Sequence, residues 1–179
     1  MSVFIGFPVD LNGFHLPEEI AHSHSIERIP QQSLHCTQAY IKGSQRPDQL
    51  EEICSAIQFV SPKFPPFTIS FDRWGLFGES NEVIALCGDQ SKTPLHTLTA
   101  EIRSRLISAS LYVLGDYQFR PHVSLAKLHG HINADPDNHP EWLLATPVTH
   151  LVHQVCLYEV LEYRDYKVLC SYSLGHTAG

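Results

Sequence analysis

Apolar residues come in short bursts along this chain, and their spacing switches between a period of two and a period near 3.6. "SVFIGFPV" is an apolar run closed by Pro8 and Asp10, which predicts a buried strand. "LPEEIAHSHSIERI" admits a short helix from Pro17 followed by loop, and "SLHCTQAYI" returns to strand character before the turn "KGSQRP". After Pro47 the spacing of Leu50, Ile53, Cys54 and Ile57 predicts a helix with acidic residues in its first turn, ended by "SPKFPP". "FTISFDRWGLF" and "EVIALCG" read as a hairpin across "GESN". Pro94 opens a second helix whose stripe is Leu95, Leu98, Ile102, Leu106 and Ile107, with an end expected near Gly115. "QFRPHVSLAKL" is the next strand and "HGHINADPDNHPEW" a loop. "THLVHQVCLYEVLE" and "YKVLCSYSL" close the chain as two strands joined through Tyr163 to Tyr166.

Strands joined by short turns favour antiparallel pairing, so this order predicts an α+β fold rather than a doubly wound sheet. Each half runs helix, then strand pair, a weak echo without a sequence repeat behind it. With 179 residues, 43% of them hydrophobic, the expectation is one domain over residues 1–179.

Composition narrows the function classes. There are 12 Lys and Arg against 19 acidic residues, a formal net charge of −7, which argues against a protein that coats long nucleic acid. A small phosphorylated ligand held by one or two basic groups remains compatible with it. No run is long enough for a membrane span, and "MSVFIGFPVD" lacks the charged start and long apolar region of a signal peptide. Cys36, Cys54, Cys87, Cys156 and Cys170 are an odd set without CxxC, read as reduced, mostly buried thiols of a cytoplasmic protein.

The chemistry concentrates in two places. In "FRPHVSLAKL", strand alternation puts His122 and Ser124 on one face, with Val123 and Leu125 on the other. "LHCTQA" does the same with His35 and Thr37, 87 residues earlier (122 minus 35). If the two strands lie side by side or face each other, two imidazoles and two hydroxyls share a cleft. Histidine titrates near pH ~6.5, so one of a pair can accept a proton while the other donates. Those are the needs of phosphodiester cleavage without a metal: a base toward the attacking oxygen and an acid toward the leaving oxygen. The hydroxyls suit the non-bridging oxygens, where negative charge is stabilised. Lys127 adds a cation, but at an odd offset from Ser124, so it shares their face only at a bulge or strand end.

The two His-x-Thr/Ser motifs, their separation, and the flanking "FTISFDRWGLF…EVIALCG" and "LYEVLEYRDYKVLCSYSL" resemble the 2H phosphoesterase superfamily over nearly the whole chain. Within it the chain is similar to the bacterial RNA 2′,3′-cyclic phosphodiesterase family, also called 2′-5′ RNA ligases. The resemblance implies a two-lobed α+β fold, with antiparallel sheets flanked by helices around a central cleft lined by one motif from each lobe. It implies hydrolysis of cyclic phosphate ends of RNA or oligonucleotides to 2′-phosphomonoesters, with no metal and no cofactor, by a protein expected to be a monomer. It maps catalysis onto His35 and His122, and phosphate binding onto Thr37, Ser124 and Lys127. Three positions depart from the usual pattern: Ser124 for threonine, Gln38 for leucine, and Lys127 for arginine, which replaces a planar fork by a point charge. Either histidine fits either role. A 2′-5′ RNA ligase or 2′-5′ phosphodiesterase uses the same pair, and a non-catalytic nucleotide-phosphate binding module is the alternative outside catalysis.

Other histidines have simpler readings. His96 lies on the second helix, with Thr97 adjacent and Leu98 at the i+2 place, and is read as structural. His22 and His24, like His129 and His131, have chelating spacing, but no HExxH or zinc-type Cys/His set accompanies them. Alternation aims Cys36 away from the cleft, against a Cys–His nucleophile. Asp72 and Arg73 read as a solvated turn or strand face. Tyr40, Phe119 and Trp74 suit base stacking, with core packing the simpler role for most of them.

Overall fold

The computed structural model describes residues 2–11, 14, 16, 25–42, 46–78, 82–88, 93–114, 119–129, 141–162 and 165–175. Within them the order is β1 (Ser2–Pro8), β2 (Ser25–Arg28), β3 (His35–Ile41), α1 (Pro47–Val60), β4 (Phe67–Phe77), β5 (Val83–Gly88), α2 (Pro94–Ser108), β6 (His122–His129), β7 (Glu141–Val152), β8 (Gln154–Glu162) and β9 (Asp165–Ser173). Every strand pairing is antiparallel. The strands follow the order β7-β4-β5-β6-β3-β1-β8-β9, with β2 added on β6. This is the α+β architecture that the hydrophobic pattern predicts.

Chain connectivity dictates that the sheet bends. β7 and β8 stand six strand positions apart, about 29 Å across a flat sheet at about 4.8 Å per strand. Yet His153 alone separates Val152 from Gln154, a reach of about 7 Å. The two halves therefore fold toward each other, and the Phe7 ring of β1 lies 6.0 Å from the His150 ring of β7. The joint between the halves is β3 against β6, paired through Cys36 and Val123.

Both helices carry proline in the first turn, where its missing N–H costs nothing. α1 buries Ile53, Ala56, Ile57 and Val60, and α2 buries Leu95, Leu98, Thr99, Ile102 and Leu106. These meet Val3, Ile5 and Phe7 of β1, Ile84 and Leu86 of β5, Val123 of β6 and Val155 and Leu157 of β8 in the main core.

Six expectations need correction. α2 ends at Ser108, not near Gly115. The Ser110 N–H bonds Ile107 O at 2.9 Å and the Leu111 N–H bonds Leu106 O at 3.0 Å, with Ser110 at φ 61°. That is a Schellman stop with serine in glycine's usual place, sealed by the buried pair Leu106 and Leu111. Ile107, expected in the apolar stripe, is 59% exposed. Ser25–Arg28, read as loop, is the strand β2 on β6, while the proposed helix from Pro17 lies outside the described residues. "THLVHQVCLYEVLE" is not one strand: β7 ends at Val152 against β4, and β8 starts at Gln154 against β1. β7 also begins at Glu141, inside the expected loop, and tolerates Pro147 because it is an edge strand. Finally, Cys54 of α1 and Cys170 of β9 form a disulfide with Cα atoms 6.6 Å apart, so these two are not reduced thiols. Cys36, Cys87 and Cys156 are free and buried. No helix among the described residues is long and apolar enough to cross a membrane.

Candidate active site

The β3–β6 joint determines the site. Antiparallel pairing of Cys36 with Val123 sets His35 across from Ser124 and Thr37 across from His122, on the face opposite to Cys36 and Val123. The four polar groups thus form a two-by-two array. The histidines occupy its diagonal, where Cβ atoms lie about 7–8 Å apart, within reach of aromatic side chains. Cys36 points into the core, as alternation requires, and burial pushes its thiol up to about 12.

Each imidazole is held the same way. His35 Nδ1 lies 2.8 Å from the carbonyl of Ser33, and His122 Nδ1 lies 2.9 Å from the carbonyl of Arg120. A carbonyl only accepts, so Nδ1 carries the hydrogen in both rings and the neutral form presents Nε2 as a base. In one case the carbonyl comes from the 3-10 turn Gln31–Ser33, in the other from the Arg120–Pro121 lead into β6. Burial lowers the pKa of both histidines. The Ser33 bond works against this at His35, and the neighbouring His122 adds to it. At His122 the bond to Arg120 O raises the pKa while the Arg120 charge lowers it.

Rings enclose the pair. Phe4 lies 4.6 Å from His35, and Tyr166 meets it edge-on at 4.8 Å. Tyr158 stacks on Phe4 at 4.8 Å, 5.7 Å from His35. On the other half Phe77 stacks on His122 at 5.0 Å, with the Arg120 guanidinium 4.9 Å from the Phe77 ring. Beyond it Glu141 pairs with Arg120 and with Arg73 (3.4 Å), and Asp72 pairs with Arg73 (2.9 Å). Asp72 and Arg73 are thus half-buried members of an ion cluster, not a solvated face.

Two bulges decide which residues join the array. On β6, Ala85 pairs with Ser124 but Ile84 pairs with Ala126, leaving Leu125 as the extra residue. The slip brings Lys127, partner of Val83, back to the face of Ser124. Ala85 and Val83 are two residues apart, so Lys127 stands about 7 Å along the strand from Ser124 and further from His122. On β3, Gly6 pairs with Thr37 and Ile5 with Ala39, leaving Gln38 as the extra residue. Tyr40 thereby regains the His35 face, 5.7 Å from Phe4, whereas unbroken alternation would turn it away. Gln38 turns inward and its amide donates to Thr99 Oγ1 of α2 at 3.1 Å.

The other candidates separate cleanly. His96 caps α2 by a 2.9 Å bond to Thr93 Oγ1, a structural role. Trp74 is in the core and Phe119 packs on His96. His129 pairs with Glu27 at 3.2 Å, and no group of three His, Cys, Asp or Glu capable of holding a metal occurs among the described residues. His22, His24 and His131 lie outside those residues. Sequence reasoning missed Phe4, Phe77, Tyr158 and Arg120. Their signal is present only in cross-strand register, apart from Arg120, whose place two residues before His122 repeats that of Ser33 before His35.

A two-lobed sheet with a His-x-Thr/His-x-Ser array at its joint defines a 2H phosphoesterase fold. The profile of the 2′-5′ RNA ligase superfamily matches residues 7–164, and the chain belongs to that superfamily. The protein TT0787 of Thermus thermophilus is similar in structure at 18% identity, with 98% of this chain and 99% of that one covered and a TM-score of 0.71. E. coli LigT in its apo form gives 18% identity, 98% coverage of both chains and a TM-score of 0.71. LigT complexed with 3′-AMP gives 20% identity, 97% coverage of both chains and a TM-score of 0.62. At these identities the likeness concerns the fold. No curated protein matches the chain in sequence.

Proposed function

We propose that the protein hydrolyses 2′,3′-cyclic phosphate ends of RNA or oligonucleotides to 2′-phosphomonoesters, with His35 and His122 as the acid–base pair. The observation that carries this reading is the two-by-two array, with both Nδ1 atoms tied to carbonyls and both Nε2 atoms available to a phosphate between them. His122 Nε2 takes the proton of a water as its oxygen bonds to phosphorus. The P–O3′ bond breaks, and His35, protonated at Nε2, gives that proton to the departing 3′ oxygen. The phosphate's own charge favours the protonated His35 that burial disfavours. Thr37 and Ser124 donate to the non-bridging oxygens. Lys127 sits beyond Ser124, where it attracts the outer edge of the phosphate or the next one along the strand.

The superfamily's name favours a second reading on the same array: a 5′-hydroxyl in place of water yields a 2′-5′ linkage. The deciding experiment is turnover of a short RNA ending in a 2′,3′-cyclic phosphate, in excess chelator, by the native protein and by His35→Ala and His122→Ala. Conversion to the 2′-phosphate that falls by roughly a hundred- to ten-thousandfold in each variant is the expected result. Full activity in His35→Ala refutes the assignment. Binding without turnover by the native protein leaves a phosphate-binding module instead.

A further inference from the structure

Phe77 reaches His122 across two small residues. Gly75 of β4 pairs with Ala85 of β5, and Ala85 with Ser124 of β6, so the row between Phe77 and His122 carries no bulky side chain on the cleft face. The Phe77 ring uses that space to stack on the imidazole at 5.0 Å. A second neighbour of the ring is the Arg120 guanidinium, 4.9 Å from its centre. Arg120 also supplies the carbonyl that receives the His122 Nδ1–H at 2.9 Å. One residue thus fixes the histidine twice, through its backbone and through a ring.

The same residue places a positive charge within about 10 Å of the imidazole (4.9 Å plus 5.0 Å), where it opposes the uptake of a proton. Glu141, at the start of the edge strand β7, answers that charge. Its carboxylate pairs with Arg120 and, at 3.4 Å, with Arg73, which Asp72 holds at 2.9 Å. Arg73 itself pairs with Cys87, the partner of His122, two strand spacings or about 10 Å away. These four charges sum to zero. Their side chains are 19–34% exposed, so losing one leaves a net charge that water and salt screen incompletely. The other titratable groups around His122 among the described residues are His35 and Cys36 of β3, Cys87 of β5, and Lys127 further along β6. Burial pushes Cys87 up to about 11 and Cys36 up to about 12, so both thiols stay neutral while histidine titrates.

We propose that Glu141 is a positioning residue for His122: it clamps the Arg120 guanidinium over Phe77 and cancels its charge, so that the imidazole is held in place without being opposed as a base. The part of His122 as base rests on the phosphodiesterase reading, but the clamp is measurable without turnover.

The test follows the His122 ring by NMR in the full chain with labelled histidine, in a His35→Gln background so that one imidazole of the pair titrates. A unit charge about 10 Å away, at an effective dielectric constant between about 20 and 80, moves a titration midpoint by about 0.3–1.2 pH units. Glu141→Gln leaves one uncancelled positive charge and should lower the His122 midpoint by that amount. Arg120→Gln and Arg73→Gln leave one uncancelled negative charge and should raise it, whereas Arg120→Lys, which keeps the charge, should leave it in place. Salt at about 1 M should shrink every shift. With His35 restored, Glu141→Gln should lower kcat on a 2′,3′-cyclic nucleotide by up to about a hundredfold, the effect of about 1 Å of misplacement, with KM little changed. The acid limb of its pH profile should move to lower pH with the NMR midpoint. A midpoint unmoved in Glu141→Gln, or moved in the same direction by Glu141→Gln and Arg73→Gln, overturns the clamp. No turnover by the native protein, with midpoints that still move in opposite directions, overturns the phosphodiesterase reading and upholds the clamp.

Discussion

Replacing Gly6 by alanine tests whether the seating of β1 on β3 holds the His-x-Thr/His-x-Ser array in place. Gly6 pairs with Thr37 on one side and with Cys156 on the other, at the slip that makes Gln38 a bulge. A Cβ there runs into the Cys36 carbonyl oxygen, with the carbonyl carbon at 3.2 Å and Thr37 Cα at 3.3 Å. These are backbone atoms of the strand that carries His35, so no side chain can swing aside and β1 must part from β3. Overpacking of this kind costs about 1–3 kcal/mol. For a chain of this size that is about 2–12 °C in Tm. Catalysis should suffer more than stability, since a misplacement of about 1 Å at reacting groups costs about a hundredfold in rate. Thermal unfolding and kcat on a cyclic phosphate substrate read the two effects separately. Gly88→Ala is the comparison: its Cβ meets the Pro121 side chain at 3.2 Å and Ser70 O at 3.3 Å, looser than the contact with the Cys36 carbonyl oxygen at Gly6, so a smaller effect is expected. A Gly6→Ala protein with native Tm and native kcat refutes the reasoning.

Three further outcomes are expected. The Cys54–Cys170 bond closes a separation of 116 residues, for which loop entropy gives about 4.8 kcal/mol. Cys54→Ser should lower the urea midpoint accordingly, and unfolded, unreduced protein should show three free thiols; five would mean that the bond is not made. Because His35 and His122 both titrate below ~6.5 when folded, the unfolded chain binds more protons as the pH drops below that value. Their contribution is complete above pH ~6.5 and is lost as pH falls through the folded pKa values. The urea midpoint of His35→Gln/His122→Gln should therefore depend less on pH between 7.5 and 5 than that of the native protein, and parallel curves contradict this. Gln38 Oε1 is buried with no hydrogen-bond donor among the described residues, while its amide binds Thr99. Removing both partners is the neutral-to-stabilising change. Gln38→Leu/Thr99→Val should exceed Gln38→Leu alone in Tm, and a lower Tm for the double variant contradicts it.

What the sequence reveals here is whatever depends on local period. Alternation is enough to put His35 with Thr37 and His122 with Ser124, because neither pair spans a bulge. It is silent on Tyr40 and Lys127, whose faces are set by the extra residues Gln38 and Leu125, features of pairing rather than of composition. The helix stop at Ser110 escapes because serine fills a position where glycine is the usual signal. β7 escapes because an exposed edge with Pro147 has no buried face to alternate. Its crossing into β8 within one residue carries no turn signature, since the chain changes neighbours without reversing direction in a hairpin. The rings around the histidines come from β1, β4, β8 and β9, and only strand order brings them together.

The β3–β6 joint also dates the appearance of the site during folding. β4 with β5 pairs near neighbours in the chain across a short loop, and β1 with β3 closes a separation of 27 residues (Pro8 to His35). Joining Cys36 to Val123 closes a much longer one, and that loss of chain freedom precedes any reward from the contact. The imidazoles and hydroxyls belong to separate halves until then, so neither half-molecule nor a nascent chain lacking β6 holds a phosphate between two histidines. Recovery of the proposed phosphate binding after dilution from denaturant should accordingly lag the return of the local hairpins, making the ligand a clock for closure of the β3–β6 joint.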